Sequence, residues 1–325
     1  MSKLTLRDAI SKGLAEALDS NEKCFLLGED IGEYGGAYAV TKGFLDKYGE
    51  KRVRDMPIAE SVIAGTAIGS AMGGLYPIVE IMTINFTLLA MDQIVNHAAK
   101  IRYMSNGQIK SPMILRTVTG GGGGLAATHS QNFEGWYANV PGLRVVTPSN
   151  PYDALGLLRS CVESQDPVIY VEHCLLYSVT GDVPEEYYNV PLGEAVVCRE
   201  GQDVTIVTYS GMVRICLDAA EKLSEQGIEA EVIDLRSLRP LDTETSAKSV
   251  KKTGRAVVVE ENWKTGGFGA EISSSLQEDV FDYLESPIIR ICGEEVPMPY
   301  NRKLESTVIP YSNKVVNEIK GMFGI

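Results

Sequence analysis

Apolar residues recur along this chain with two periods. Over residues 4–18 they fall at helical spacing, with Thr5 placed to cap the helix, and residues 23–27 then predict a short strand ending in Gly28-Glu29-Asp30. The run 76–82 is apolar except for Glu80, as a strand buried on both faces requires. Residues 112–118, 143–147 and 167–172 repeat that pattern. Between them the spacing predicts helices over 41–48, from Glu60 to about residue 74, and over 85–104, 133–138 and 151–163, with 51–56 approaching Pro57. The polar, tyrosine-rich stretch 180–191 interrupts the alternation, and a smaller set follows: strands at 204–208, 230–235, 256–260 and 288–291, helices at 213–225, 243–252, 269–277 and 313–322. Alternation of buried strands with helices predicts an α/β fold: two doubly wound, mainly parallel-sheet domains, residues 1–185 and 186–325.

One predicted helix is unusually thin. After Pro57-Ile58-Ala59-Glu60-Ser61, glycines stand at 65, 69 and 73 and form one smooth stripe that Ala64, Ala67 and Ala71 widen. Each interior glycine costs about 1 kcal/mol relative to alanine, so the stripe calls for a close neighbour that recovers about 3 kcal/mol. Ser61, Thr66 and Ser70 argue that this neighbour is protein and not lipid.

Length, charge and cysteines narrow the function classes. With 325 residues, 44% hydrophobic, the chain has material for two cores. A net charge of -13 and a pI near 4.8 work against nucleic acid and anionic membrane as partners and favour a basic or neutral one. No window reaches the roughly 18 apolar residues of a membrane span. Cys24, Cys161, Cys174, Cys198, Cys216 and Cys292 have no metal-ligand spacing, and they are expected to be reduced core thiols of an intracellular protein. The N-terminus enters a helical pattern directly, without a leader-like segment.

The candidate chemistry lies where strands give way to helices. Five consecutive glycines, Gly120 to Gly124, do not complete a G-x-G-x-x-G register, nor does Gly266-Gly267-Phe268-Gly269. The second loop is expected to be a turn allowing close backbone approach. The first leads into Thr128-His129-Ser130 and is expected to form a mobile wall beside a reactive group. Of three histidines, His97 is expected in a core and His173 in a hydrogen bond to backbone or to Glu172. His129, in a polar loop, can titrate near neutral pH. No G-x-S-x-G elbow supplies a nucleophile for it. Glu60 at a helix start gains about 0.3–1 kcal/mol from the helix dipole, and Phe86 suits a core. Together, Glu60, Phe86 and His129 also supply an acid, an aromatic platform and a base from three successive strand-to-helix segments, the edge where α/β sheets bind ligands.

These residues carry a resemblance. Asp55-Met-Pro-Ile-Ala-Glu60-Ser61-x-Ile63-Ala64-Gly65, Asn85-Phe86, His129-Ser130-Gln131, Pro141-Gly142-Leu143 and Asp234-Leu-Arg-x-Leu-x-Pro240-Leu-Asp242 resemble, end to end, the β subunits of 2-oxo acid dehydrogenase E1 components. The pyruvate dehydrogenase branch is nearest, with branched-chain 2-oxo acid and acetoin dehydrogenases as near relatives. The resemblance implies a transketolase-like pyrimidine-binding domain and C-terminal domain, with thiamine diphosphate bound between α and β subunits of an α2β2 assembly. It implies that Glu60 hydrogen-bonds N1′ of the aminopyrimidine, that Phe86 packs on that ring with Ile58 lining the pocket, and that His129 assists substrate binding or acyl transfer to a lipoyl-bearing E2. The Gly-Asp-Gly segment and paired asparagines that hold the diphosphate through Mg2+ are lacking here, which assigns that ion mainly to the α subunit. By position, a structural potassium ion would be held by Met113, Cys161, Val162, Ser164 and Asp166. Leu89 departs from relatives that carry a polar residue there.

The expected function is thus oxidative decarboxylation of pyruvate as an E1 β subunit, active only with its α partner. A bacterial cytoplasm is the expected home, with an organelle matrix or stroma as the alternative. The rivals are a self-sufficient synthase or transketolase and a non-catalytic assembly subunit.

Overall fold

The computed structural model describes residues 1–325, which form two compact units. The first comprises Met1–Thr119 and Trp136–Leu192; the second comprises Gly120–Gly135 and Gly193–Ile325.

The first unit opens with β1 (Ser2–Thr5) and α1 (Leu6–Ser20). Thr5 caps α1 as expected: Asp8 N donates to Thr5 Oγ1 at 3.1 Å while the Asp8 carboxylate accepts from Thr5. Then come β2 (Cys24–Gly28), α2 (Phe44–Tyr48), β3 (Val53–Asp55), α3 (Glu60–Met72) and β4 (Tyr76–Ile81). After a 3-10 turn (Phe86–Ala90) and a π-helical turn (Gln93–Ala98) follow α4 (Ile101–Met104), β5 (Ile114–Thr119), α5 (Glu134–Ala138), β6 (Arg144–Val146), α6 (Pro151–Glu163), β7 (Val168–His173) and β8 (Thr180–Val183). Within this unit six strands pair in parallel in the order β6-β7-β5-β4-β2-β3, and β8 pairs antiparallel with β1. On one face α1 and α6 pack together through Leu14, Leu155 and Leu158, so closely that a Cβ on Gly13 would stand 2.7 Å from Leu158 Cδ2.

A charged cluster lies inside this sheet. Glu80 and Arg116 are register partners on β4 and β5, and Arg116 is 2% exposed. Its Nε and Nη2 donate to the two oxygens of Glu172 at 2.7 and 2.9 Å, and its Nη1 to Glu80 Oε2 at 2.7 Å; Tyr177 also donates to Glu172. Burial pushes the Glu172 carboxyl up against the opposing pull of Arg116.

The second unit contains β9 (Val196–Arg199), β10 (Val204–Thr208), α7 (Met212–Ser224), β11 (Ala230–Asp234), β12 (Ser237–Arg239), α8 (Thr243–Thr253), β13 (Ala256–Trp263), α9 (Gly269–Val280), β14 (Ile289–Gly293), α10 (Arg302–Val308) and α11 (Ser312–Met322). Its sheet runs β14-β13-β10-β11-β9, parallel except for β9. Ile206, Val232 and Val257 meet Cys216, Ala220 and Ile319 in the core.

Several local expectations are corrected. The helix predicted over 85–104 is broken into the 3-10, π-helical and short α segments. Thr87 turns its hydroxyl back to the Ile84 carbonyl at 2.6 Å and accepts from Tyr137, and Ala99 N reaches back five residues to Ile94 O at 3.1 Å. That change of period also carries His97 outward: its side chain is 55% exposed, 3.6 Å from Asp92. His173 is buried and accepts from Leu175 N at 3.2 Å, as expected. Cys198 is exposed and Cys174 half-buried, so only Cys24, Cys161, Cys216 and Cys292 are core thiols; none of the six forms a disulfide. The approach 51–56 holds a true edge strand, β3, and the polar stretch 180–191 begins with one, β8.

Candidate functional site

In the first sheet the chain leaves β2 for β3 on one side and then enters β4 on the other. Connections that diverge in this way open a crevice at the carboxyl ends of the strands. Three segments leave the sheet at that edge: the loop after β2 with Glu29, the Pro57–Glu60 approach after β3, and the Phe86 turn after β4.

Backbone bonds lock these segments to the sheet. Met56 N donates to Gly28 O at 2.8 Å, and Asp55 Oδ1 accepts from Gly32 N at 2.6 Å, which ties the β2 and β3 exits together. Ile84 N donates to Val118 O at 2.8 Å and Asn85 Nδ2 to Thr83 Oγ1 at 2.6 Å, so the turn into Phe86 is held against the end of β5. The turn itself packs on α3.

Glu60 is the first residue of α3, behind an Ala59 N-cap that offers no side-chain bond. It is 4% exposed, yet no hydrogen bond or ion pair within the chain takes up its carboxylate. Its electrostatic neighbour is another acid: burial first, then the charges of Glu60 and Asp30, push the Glu29 carboxyl above its ordinary value. A carboxylate with no donor from its own chain, next to a second acid, is open to a hydrogen-bond donor from outside. Phe86 is half-buried, and Ile58 is 76% exposed ahead of the helix; Leu89 is also exposed. Glu60 thus offers an acceptor that nothing in the chain takes up, on the helix against which the Phe86 turn packs.

On the outer face of α3, a Cβ added at Gly69 would meet nothing within 4 Å, and one at Gly65 would only touch Gln93 Oε1 at 3.5 Å. Val62 and Met72 on the same helix are exposed. Ala64, Ala67 and Ala71 are buried within the chain, whereas at Gly69 no element of it supplies a close neighbour.

His129 belongs to the second unit, in the segment Gly120–Gly135. Its ring is exposed, with Thr128 Oγ1 2.9 Å from Nδ1, and its backbone N donates to Ala126 O at 3.2 Å. The glycine run before it is tethered and not a loose wall, because the amides of Gly121, Gly122 and Gly124 donate to the carboxylates of Glu261 and Glu305. The other glycine loop closes on a buried acid: a Cβ on Gly267 or Gly269 would stand 2.5 or 2.6 Å from Glu260 Oε1, and Gly269 N donates to Glu260 Oε2 at 2.9 Å.

Met113, Cys161, Val162, Ser164 and Asp166 gather at the opposite, amino-terminal edge of the first sheet. Met113 O accepts from Val168 N at 2.9 Å, Cys161 O from Tyr76 Oη at 2.9 Å and Ser164 N at 3.0 Å, and Asp166 O from Ser164 Oγ at 3.0 Å. Arg102 and Arg144 both pair with the Asp166 carboxylate. No group of three or more His, Cys, Asp or Glu side chains could hold a metal ion. Glu29, Arg116, Glu261 and Glu305 escaped the sequence reading; only Glu80, a charge within an apolar run, signalled the buried cluster.

Residues 2–179 match the family described as transketolase, pyrimidine binding domain, and residues 193–315 match transketolase, C-terminal domain. The chain is 47% identical to the mitochondrial pyruvate dehydrogenase E1 component subunit beta of Dictyostelium discoideum, over 98% of this chain and 90% of that protein. It is 46% identical to the pyruvate dehydrogenase E1 component subunit beta of Rickettsia felis, over 98% of this chain and 97% of that one. Among solved structures, a split gene transketolase described as an inactive beta4 tetramer superposes with a TM-score of 0.79 at 24% identity, covering 98% of this chain and 97% of the other, a likeness of fold.

Proposed function

This chain belongs to the family of pyruvate dehydrogenase E1 component β subunits, and on that premise we propose that Glu60, Phe86 and Ile58 form its half of a thiamine diphosphate site, completed by an E1 α subunit. It is a thiamine diphosphate-dependent component of the enzyme that oxidatively decarboxylates pyruvate. The observation that carries the site assignment is Glu60, a residue 4% exposed at a helix start whose carboxylate has no partner in its own chain.

When bound, thiamine diphosphate supplies the reactive carbon at which a 2-oxo acid loses carbon dioxide. Glu60 holds a hydrogen bond at N1′ of the aminopyrimidine, and its low exposure strengthens that bond by excluding water. Phe86 would give the ring an aromatic face, and Ile58 would line the same pocket. His129 orients the substrate or the incoming lipoyl group. Along the chain, 1–185 serves as the pyrimidine-binding domain and 186–325 as the C-terminal domain.

The α subunit supplies most of the Mg2+ ligands, since this chain has no Gly-Asp-Gly segment. The uncovered face at Gly69 is the surface that an α2β2 assembly closes, because only another backbone fits so near a bare helix. A lipoyl-bearing E2 docks on the acidic second unit, and the home is a bacterial cytoplasm or the matrix or stroma of an organelle. The test is to titrate an α subunit into the purified chain while following thiamine diphosphate binding and carbon dioxide release. The chain alone should show neither, and the complex should favour pyruvate over branched-chain 2-oxo acids and acetoin. Turnover by the isolated chain would overturn the shared site.

Backbone carbonyls of Met113, Cys161, Val162 and Ser164, with Asp166, hold a potassium ion. Exchanging potassium for sodium at constant ionic strength is expected to lower the melting temperature of the chain by several degrees. An unchanged melting curve would remove this site.

A further inference from the structure

The five glycines before His129 are built into something more specific than a turn. Gly120, Gly122 and Gly124 have φ of +94°, +89° and +70°, and the two glycines between them lie outside that left-handed region. Alternation of hand turns successive amides to one side and makes a concavity for anions. Here the chain fills that concavity itself. Gly121 N donates to Glu261 Oε1 at 2.6 Å, Gly122 N to Glu305 Oε1 at 2.9 Å, and Gly124 N to both oxygens of Glu305 at 3.1 and 3.2 Å.

Both acids come from rigid elements, Glu261 from β13 and Glu305 from α10, and Glu305 is 2% exposed. They share one region, since burial and then the charges of Glu261 and Glu305 push the Tyr311 phenol up. A Cβ on Gly121 would stand 2.7 Å from Met298 Cε, the movable end of a side chain. Charge-assisted bonds to carboxylates are the strong ones, and three amides engaged in this way far exceed what a chain reversal needs.

Beyond Gly124 the chain climbs through Ala126, at φ +68°, to the exposed His129 and descends into buried Ser130 and Asn132. It then passes close to Phe268, where a Cβ on Gly135 would lie 3.1 Å from Phe268 Cβ. The imidazole therefore stands on an arch whose first foot is tethered by two carboxylates.

We infer that Glu305, assisted by Glu261, is the positioning residue for His129, holding the glycine run and through it the imidazole; this rests on the catalytic reading of His129 given above. In the assembled α/β enzyme, Glu305→Ala is expected to speed amide exchange in a peptide spanning 120–129 about tenfold, with the rest of the chain unchanged. It should lower kcat on pyruvate with a lipoyl acceptor by a similar factor, whereas Glu305→Gln, which keeps an acceptor oxygen, should restore most of both. In a His129→Ala background, Glu305→Ala should bring no further loss, because groups acting as one unit are not additive. Unchanged loop exchange, or exchange raised evenly along the whole chain, would overturn the inference. If His129→Ala is impaired and the two losses multiply, the inference alone falls. If His129→Ala leaves turnover intact, the catalytic reading of His129 falls and takes the inference with it.

Discussion

Glu60→Gln in the assembled α/β enzyme is expected to lower kcat on pyruvate by about 10²-fold or more, the range that a positioned proton-handling group contributes. Glutamine keeps the shape and one acceptor oxygen but loses the charge that draws the N1′ proton. The same substitution should leave the isolated chain as stable or slightly more so. Glu60 has no partner within its chain and its charge helps push the Glu29 carboxyl up, so the substitution relieves a like-charge contact at the loss of about 0.3–1 kcal/mol from the α3 dipole. Opposite signs for activity and stability are the mark of a residue kept for chemistry. Steady-state turnover and urea midpoints on the same preparations give both readings. Retention of most activity would show that Glu60 has no such role.

The second large effect is structural. Arg116→Met is expected to destabilise the first unit by about 3–5 kcal/mol, because it strands two buried carboxylates that now share one guanidinium. The loss should depend on pH in a definite direction. Burial already holds the Glu172 carboxyl above the ordinary value near 4.3, and without Arg116 it should rise further. Between the unfolded and folded values the native state binds the extra proton, so the variant should lose stability as pH rises through that window and regain it as pH falls. Denaturant midpoints at pH 5.5 and 8 measure this. Adding Glu172→Gln should recover part of the loss and flatten the pH dependence. A variant with the parent's midpoint at both values would mean that the cluster adds nothing to stability.

The helices α1, α3 and α6 and the strands β4, β5 and β7 are legible in the chain because each has an apolar pattern that burial on its own face or faces demands. The segment 85–104 reads as one helix for the same reason. Its break depends on Thr87, whose hydroxyl meets Tyr137 far along the chain, and no local pattern records that bond. Glu80 stands out in its strand, but its partner becomes visible only when register sets β4 beside β5.

The glycine run is a sharper case. Its excess of glycine is obvious in the sequence, while its meaning lies in carboxylates 140 and 183 residues later. Chain order also sets His129 in the third of three successive strand-to-helix segments, whereas packing assigns it to the second unit.

By itself the sequence determined the alternation of strands and helices, the thin helix with its glycine stripe, and an acid at that helix's first turn. Those follow from hydrogen bonds and apolar spacing within a few residues. Only the tertiary structure decided that Glu60 is buried without a partner, that Gly69 faces open space, and that Glu261 and Glu305 hold the arch beneath His129. Whether a polar group or a bare backbone is satisfied depends on groups that folding brings from elsewhere in the chain, and local pattern carries no record of them.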